Sequence, residues 1–191
     1  MVAALTRLAG AELELLVLAG AHRGCAAVDL GTGALVHAHW PEGVPPLTPF
    51  TLARGRLADE QEDRDPVRPE AVALSTAPCP VGRIPGRRAE RWLRPLLHPP
   101  GEHLLGFAGT ATPYWALSGD RPSVALVSPA SRPIVVGNRC RFRWRNAVHT
   151  LPVLATALPF APAKPRRLLV SLSAPVAGHC YKVVAGLLPR Q

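Results

Sequence analysis

Proline is the feature that most constrains how this chain can fold. The sequence has 22 prolines in 191 residues, and they occur along most of its length. A proline fixes its own φ and lacks a backbone N–H, so it breaks a helix from within. In sheets it is confined to edges, strand ends and bulges. We therefore expect few long helices, and short strands joined by rigid loops.

The hydrophobic pattern agrees with this expectation. Hydrophobic residues make up 48% of the chain but aromatic residues only 5%, so the core must consist largely of Ala, Val and Leu. Short apolar or alternating segments bounded by turn residues are typical of strands. We predict strands over residues 12–18, 25–30, 34–40, 50–57, 71–75, 104–107, 114–117, 123–127, 134–144, 147–153, 168–173 and 181–187. A helical turn is expected before residue 12, and residues 78–85 are predicted to be a loop.

One segment has helical periodicity. In residues 87–97, Ala89, Trp92, Leu93 and Leu96 recur at helical spacing, with arginines mostly on the other side. Pro95 predicts an early end to this helix. The chain is thus predicted to be mainly β (α+β), with small barrel- or sandwich-like modules of short antiparallel strands and one central helix. Its expected parts are a β-rich half (1–82), a helix and proline-rich connector (83–100), and a basic β-rich half (101–191).

Charge is distributed unevenly along the chain. Up to Asp120 there are 11 arginines and 13 acids, a balance of −2, whereas the residues from Arg121 onward carry 11 Arg and Lys and no acid. Such asymmetry indicates contact with nucleic acid or another anionic surface. A solvated basic surface is the alternative. Coding bias explains arginine in place of lysine, but it does not explain the absence of acids.

The densest basic stretch alternates arginines with apolar residues. Arg139, Arg141, Arg143 and Arg145 are separated by Cys140, Phe142 and Trp144. Successive side chains of a strand point to opposite faces, so one face should carry four guanidinium groups and the other an apolar row. Further basic residues that we expect to extend this surface are Lys164, Arg166, Arg167 and Lys182. Any aromatic stacking platform would have to come from Tyr114, Trp115 or Tyr181.

This pattern predicts a non-enzymatic binding protein. Its basic β-sheet surface is expected to contact the backbone of DNA or RNA with weak sequence specificity, because guanidinium groups match phosphate oxygens while Phe142 and Trp144 lie on the opposite face and cannot stack on bases. The alternative is a protein-interaction or scaffold module that docks an acidic partner or self-associates. Five acids between Asp59 and Asp65 would then supply the opposite charge.

Catalytic, metal and cofactor signatures are weak in this sequence. It has no nucleophile elbow, phosphate loop, dinucleotide fingerprint or HExxH motif. The candidate nucleophile, Cys180, lies between His179 and Lys182, while His37 and His39 are a candidate metal pair without a spaced third ligand. We therefore predict no catalytic residues, no metal and no cofactor. The four cysteines are expected to be reduced and mostly buried, in a cytoplasmic protein without membrane contact.

Overall fold

The computed structural model describes residues 10–59 and 65–189. It contains 46% strand and 13% helix, so the predicted mainly β fold is confirmed. The strands are β1 Glu12–Ala21, β2 Gly24–Asp29, β3 Leu35–His39, β4 Thr51–Arg56, β5 Ala71–Ala73, β6 Cys79–Arg83, β7 Ala111–Pro113, β8 Val124–Val127, β9 Ile134–Val136, β10 Arg139–Trp144, β11 Ala147–Pro152, β12 Pro165–Leu172 and β13 His179–Pro189. The α-helix is α1, Gly86–Leu93, and 3-10 helices cover Arg94–Leu96, Leu104–Gly106, Tyr114–Ala116 and Ala155–Phe160.

The strands form three sheets. The first has six strands in the order β5-β3-β2-β1-β4-β6, the second has the order β7-β13-β12-β8, and the third has the order β11-β10-β9. All neighbours are antiparallel except β3 and β5. The fold contains one half-barrel, and the second and third sheets share one apolar core, which we call the half-barrel core.

The second sheet lies between two apolar cores. On one side Leu168 and Val170 of β12 face Phe142 and Trp144 of the third sheet. On the other side Leu169 belongs to a cluster that includes residues of β1 and β2. This division follows from the strand period, because alternate residues of β12 point to opposite faces. The N-terminal and C-terminal halves therefore share buried apolar contacts.

Two polar contacts also join the halves. The Glu70 carboxylate accepts hydrogen bonds from the backbone N of Ser123 at 2.7 Å and from its Oγ at 2.6 Å. Nε2 of His37 lies 3.1 Å from Oγ of Ser171. Burial lowers the pKa of His37 to about 4, so its imidazole is neutral at pH 7. The candidate metal pair thus contains a histidine that links two sheets.

Most first-half strand predictions are confirmed. The strands predicted over 12–18, 25–30, 34–40 and 50–57 correspond to β1, β2, β3 and β4. The helical turn expected before residue 12 lies almost entirely outside the described residues. The helix ends early, as Pro95 predicts, and continues as one 3-10 turn. The prediction of a loop over residues 78–85 is wrong, since β6 lies there. All five residues of β6 are exposed, so the strand lacks the alternation of buried and exposed residues that would identify it.

Three second-half predictions are wrong for local backbone reasons. Residues 104–107 and 114–117 contain 3-10 helices instead of strands, and Leu105 has a φ of 55° that no strand tolerates. The strand predicted over 134–144 is two strands, β9 and β10, with Gly137 between them at a φ of 56°. Apolar runs this short do not distinguish strand from helical turn by period alone.

Candidate nucleic-acid interface

Strand β10 has the two faces that its sequence predicts. The buried face consists of Cys140, Phe142 and Trp144, each with at most 3% of its surface exposed. The other face carries the exposed Arg139, Arg141 and Arg143. We call the three exposed residues Arg139, Arg141 and Arg143 the arginine row. The apolar side chains pack into the half-barrel core and hold the row on the outer face of the third sheet.

Specific contacts fix the buried face of β10. The Phe142 ring stacks on His149, with centroids 5.5 Å apart. Nε1 of Trp144 donates to the backbone oxygen of Glu102 at 3.0 Å, which satisfies the polar atom of a buried indole. Burial raises the pKa of Cys140 to about 11, so this thiol is neutral. The arginine row therefore stands on an anchored strand.

Uncharged side chains surround the arginine row. The cross-strand neighbours are Val136 and Pro152 beside Arg139, Ile134 and Thr150 beside Arg141, and Val148 beside Arg143. We call Ile134, Val136 and Val148 the aliphatic flanks. They are 59%, 73% and 51% exposed, respectively, which is high for residues of this type. The outer face is thus one line of positive charge with the aliphatic pair Ile134 and Val136 along one side and a mixed edge that includes Val148 along the other.

The arginine row has no counter-charge within residues 10–59 and 65–189. None of its three guanidinium groups forms an ion pair or hydrogen bond with a described residue, unlike Arg54, which approaches Glu12 and Glu14. Alternate residues of a strand are about 6.7 Å apart, so the three like charges repel one another. A bound anion would relieve that repulsion.

Arg145 does not belong to the arginine row. Strand β10 ends at Trp144, and Arg145 occupies the turn to β11 with a φ of 54°. Its Nη1 lies 2.9 Å from Nδ1 of His103. The predicted face of four guanidinium groups is therefore a face of three. The left-handed position of this turn is Arg145, although the next residue, Asn146, is of a type that adopts this conformation more readily.

Lys164 and Arg166 are exposed, as predicted for the basic surface. The loop that contains Ala130 and Arg132, which the sequence pattern does not single out, links the segment next to Lys164 with the arginine row. Nη2 of Arg132 donates to the backbone oxygen of Ala163 at 2.7 Å. In the same loop, the backbone N of Ala130 donates to the oxygen of Arg143 at 3.1 Å. Arg132 thus adds an exposed cation near one end of the row. No motif marks this residue; only its place in the acid-free segment points to it.

Arg167 and Lys182 lie in the interior. Arg167 is 5% exposed and forms a bidentate pair with Glu90, with Nη1–Oε2 and Nη2–Oε1 distances of 2.7 and 2.5 Å. Lys182 is 2% exposed; its Nζ donates to the backbone oxygens of Phe107 at 2.7 Å and Gly109 at 2.8 Å. Burial lowers the pKa of Lys182 to about 8. Neither side chain presents its charge on the surface that carries the row.

The exposed aromatic residues form a separate cluster. Trp115 is 68% exposed, and its ring centroid lies 5.5 Å from that of Tyr114 and 6.0 Å from that of His179. Tyr181 is also exposed, two residues further along β13. These residues lie at the β7 and β13 edge of the second sheet, whereas the arginine row is on the third. The aromatic candidates therefore do not flank the row.

The described residues offer little for catalysis or metal binding. Cys180 is fully buried, and burial raises its pKa, which is the opposite of what a reactive thiolate needs. Within residues 10–59 and 65–189, no three or more His, Cys, Asp or Glu side chains gather in a way that could hold a metal ion. In the same ranges no helix has the length and apolar character needed to cross a membrane.

Comparisons with known proteins do not identify a family or a function for this chain. No protein-family model matches the chain, and neither the curated proteins nor the solved structures include a significant match. The chemistry of the outer face of the third sheet must therefore be interpreted from its geometry.

Proposed function

We propose that this protein binds the phosphate backbone of nucleic acid through the arginine row. The observation that carries the proposal is the exposed, unpaired alignment of Arg139, Arg141 and Arg143 on one anchored strand. A guanidinium group presents a planar fork of donors that matches phosphate oxygens. Three such groups at regular spacing suit a ligand whose charges repeat along a line.

The surrounding charges support the same ligand. Arg132, Lys164 and Arg166 are exposed, and the loop containing Arg132 is hydrogen-bonded to the end of the row at Arg143. Two acids from outside this half contact it at buried positions away from the row, since Glu70 accepts from Ser123 and Glu90 pairs with Arg167. The loop of Arg132, which is hydrogen-bonded to the end of the row, therefore adds a further positive charge that the same ligand could contact.

The expected sequence specificity is weak. Contacts from arginines to phosphates position a nucleic acid but carry no direct information about its bases. The row and its cross-strand neighbours include no Asn, Gln, Asp or Glu, the side chains that read adenine and cytosine edges, so guanine is the one base that a free guanidinium of the row could read. Binding should therefore depend on backbone charge and on salt.

Fluorescence polarisation across a salt series tests the proposal. The probes are a labelled oligothymidylate, an RNA of the same length and a duplex of the same length, with salt raised from about 50 to about 200 mM. Three to six phosphate contacts predict a slope of log K against log salt of about −2 to −4 for a single strand. The triple variant Arg139→Ala, Arg141→Ala, Arg143→Ala should reduce the magnitude of that slope by about 2.

A charge-matched variant controls for net charge. Arg87, Arg88 and Arg94 are exposed in the α1 region, and replacing all three with Ala removes the same charge away from the third sheet. This control should bind like the wild type. Equal weakening by both triple variants, or no affinity of the wild type for any probe at low salt, would overturn the proposal.

A second candidate follows from the aliphatic flanks. Exposed Ile134, Val136 and Val148 beside a row of arginines also suit an acidic protein segment with apolar side chains, or a second copy of this chain. That candidate predicts salt-sensitive oligomers in light scattering and no binding of the nucleic-acid probes. The Ile134→Ser, Val136→Ser variant should then shift the population towards monomer.

A further inference from the structure

The aliphatic flanks are not explained by phosphate binding alone. Phosphate groups need donors and positive charge, yet Ile134 and Val136 lie directly opposite Arg141 and Arg139 across the β9–β10 pairing. Cross-strand neighbours have Cβ atoms about 5 Å apart, so a ligand held by the row must also cover these side chains. Their exposed fractions, 59% and 73%, leave substantial apolar surface for it to cover.

We infer that the ligand is a single strand of nucleic acid lying along β10, and this inference rests on the proposed function. Successive phosphates contact Arg139, Arg141 and Arg143, while bases of the same strand lie over Ile134 and Val136. The spacing of about 6.7 Å between alternate strand residues is comparable with the separation of neighbouring phosphates along one strand. One line of charge beside one line of apolar surface matches one backbone with its bases on one side.

A duplex fits this face less well. In a duplex the base faces are stacked on one another, and the grooves present mostly polar edges between two phosphate lines. Only one of those lines could meet the arginine row, and no base face would be free to cover Ile134 or Val136. A single strand exposes its base faces, so covering aliphatic surface removes apolar area from water on both partners.

Competition between single strand and duplex tests the inference. At equal length and salt, the wild type should bind oligothymidylate about tenfold more tightly than the duplex, the effect expected from covering two exposed aliphatic side chains. The double variant Ile134→Ser, Val136→Ser should lose that preference and keep the salt slope. The matched control is Val81→Ser, Val176→Ser, two exposed valines outside the third sheet, and it should keep both.

The outcomes separate the inference from the proposed function. If no probe binds at low salt, the proposed function fails and the inference with it. If the duplex binds as tightly as the single strand, the inference fails while backbone binding stands. Loss of the single-strand preference in Trp115→Ala, with the double variant unaffected, would assign base contact to the aromatic cluster and overturn the inference. Tighter binding to phosphatidylserine vesicles than to oligothymidylate would overturn both.

Discussion

Strands β10, β12 and β13 all carry basic residues, but those of β10 are exposed and those of β12 and β13 are buried. On β10, Arg139, Arg141 and Arg143 project from the molecule and meet no described counter-charge. On β12 and β13, Arg167 and Lys182 are almost completely buried; Arg167 pairs with Glu90, and Lys182 donates to backbone oxygens. All five residues come from the acid-free segment that begins at Arg121.

The difference shows that a basic sequence and a basic surface are separate properties. A buried charge needs a partner or hydrogen bonds to offset the loss of hydration, and Arg167 and Lys182 have them. An exposed charge needs none, so the arginine row remains available to a ligand. Replacing the buried residues Arg167 and Lys182, and separately a residue of the arginine row, tests this contrast.

Among the basic residues compared, Arg167 should give the largest loss of stability when it is replaced. We expect Arg167→Ala to lower the free energy of unfolding by about 2 to 4 kcal/mol, because it leaves the Glu90 carboxylate without its bidentate partner at the edge of the core. Urea denaturation measures this change. The neighbouring exposed residue gives the control, since Arg166→Ala should change stability by less than about 0.5 kcal/mol. Similar small effects for both variants would remove the distinction between buried and exposed cations.

Lys182 should give an intermediate effect that depends on pH. Its pKa in the folded state is about 8, below the ordinary value of 10.5, so between these values the unfolded state holds more protons than the native state. The contribution of this group to the free energy of unfolding therefore rises with pH across that window. Relative to Lys182→Met, the wild type should gain about 1 to 3 kcal/mol between pH 7 and 10.

The comparison with Lys182→Met is needed because buried thiols change the free energy of unfolding in the opposite direction as pH rises. Burial raises the pKa of Cys25 to about 12 and that of Cys140 to about 11, so ionisation of the unfolded thiols lowers stability at alkaline pH. Both proteins carry these cysteines, and the difference between them isolates the lysine. A stability difference that stays constant from pH 7 to 10 would contradict a lowered pKa for Lys182.

The arginine row should give the smallest effect on stability. Arg141→Ala should change the free energy of unfolding by less than about 0.5 kcal/mol, because the side chain is exposed and unpaired. The adjacent Phe142→Ala should cost about 3 to 5 kcal/mol by opening a cavity in the half-barrel core. Thermal or chemical unfolding of the two variants measures both. A large loss in Arg141→Ala would make the row structural and remove it as a binding surface.

The local sequence pattern predicts strands well where polar and apolar residues alternate, and poorly where they do not. The two faces of β10 follow from the alternation of arginine with Cys140, Phe142 and Trp144. No pattern predicts the strand β6, because all of its residues are exposed. The segment around the 3-10 turn at Leu104–Gly106 is predicted as a strand because so short an apolar run has no period to read. The strand end at Trp144 is predicted correctly, but Arg145, which the alternation assigns to the same face, occupies a left-handed turn position and leaves that face.

The sequence by itself determined the mainly β class, the short helix α1, the two-faced strand β10 and the acid-free basic half. These are local or compositional properties, set by residue type and by the period of two along an extended backbone. The tertiary structure decided which basic residues remain at the surface, placing Arg132 beside the row, Arg145 in a turn, and Arg167 and Lys182 inside. That outcome depends on which distant segment packs against each side chain, and no local pattern encodes the partners that Glu90 and Phe107 provide across 77 and 75 residues of chain.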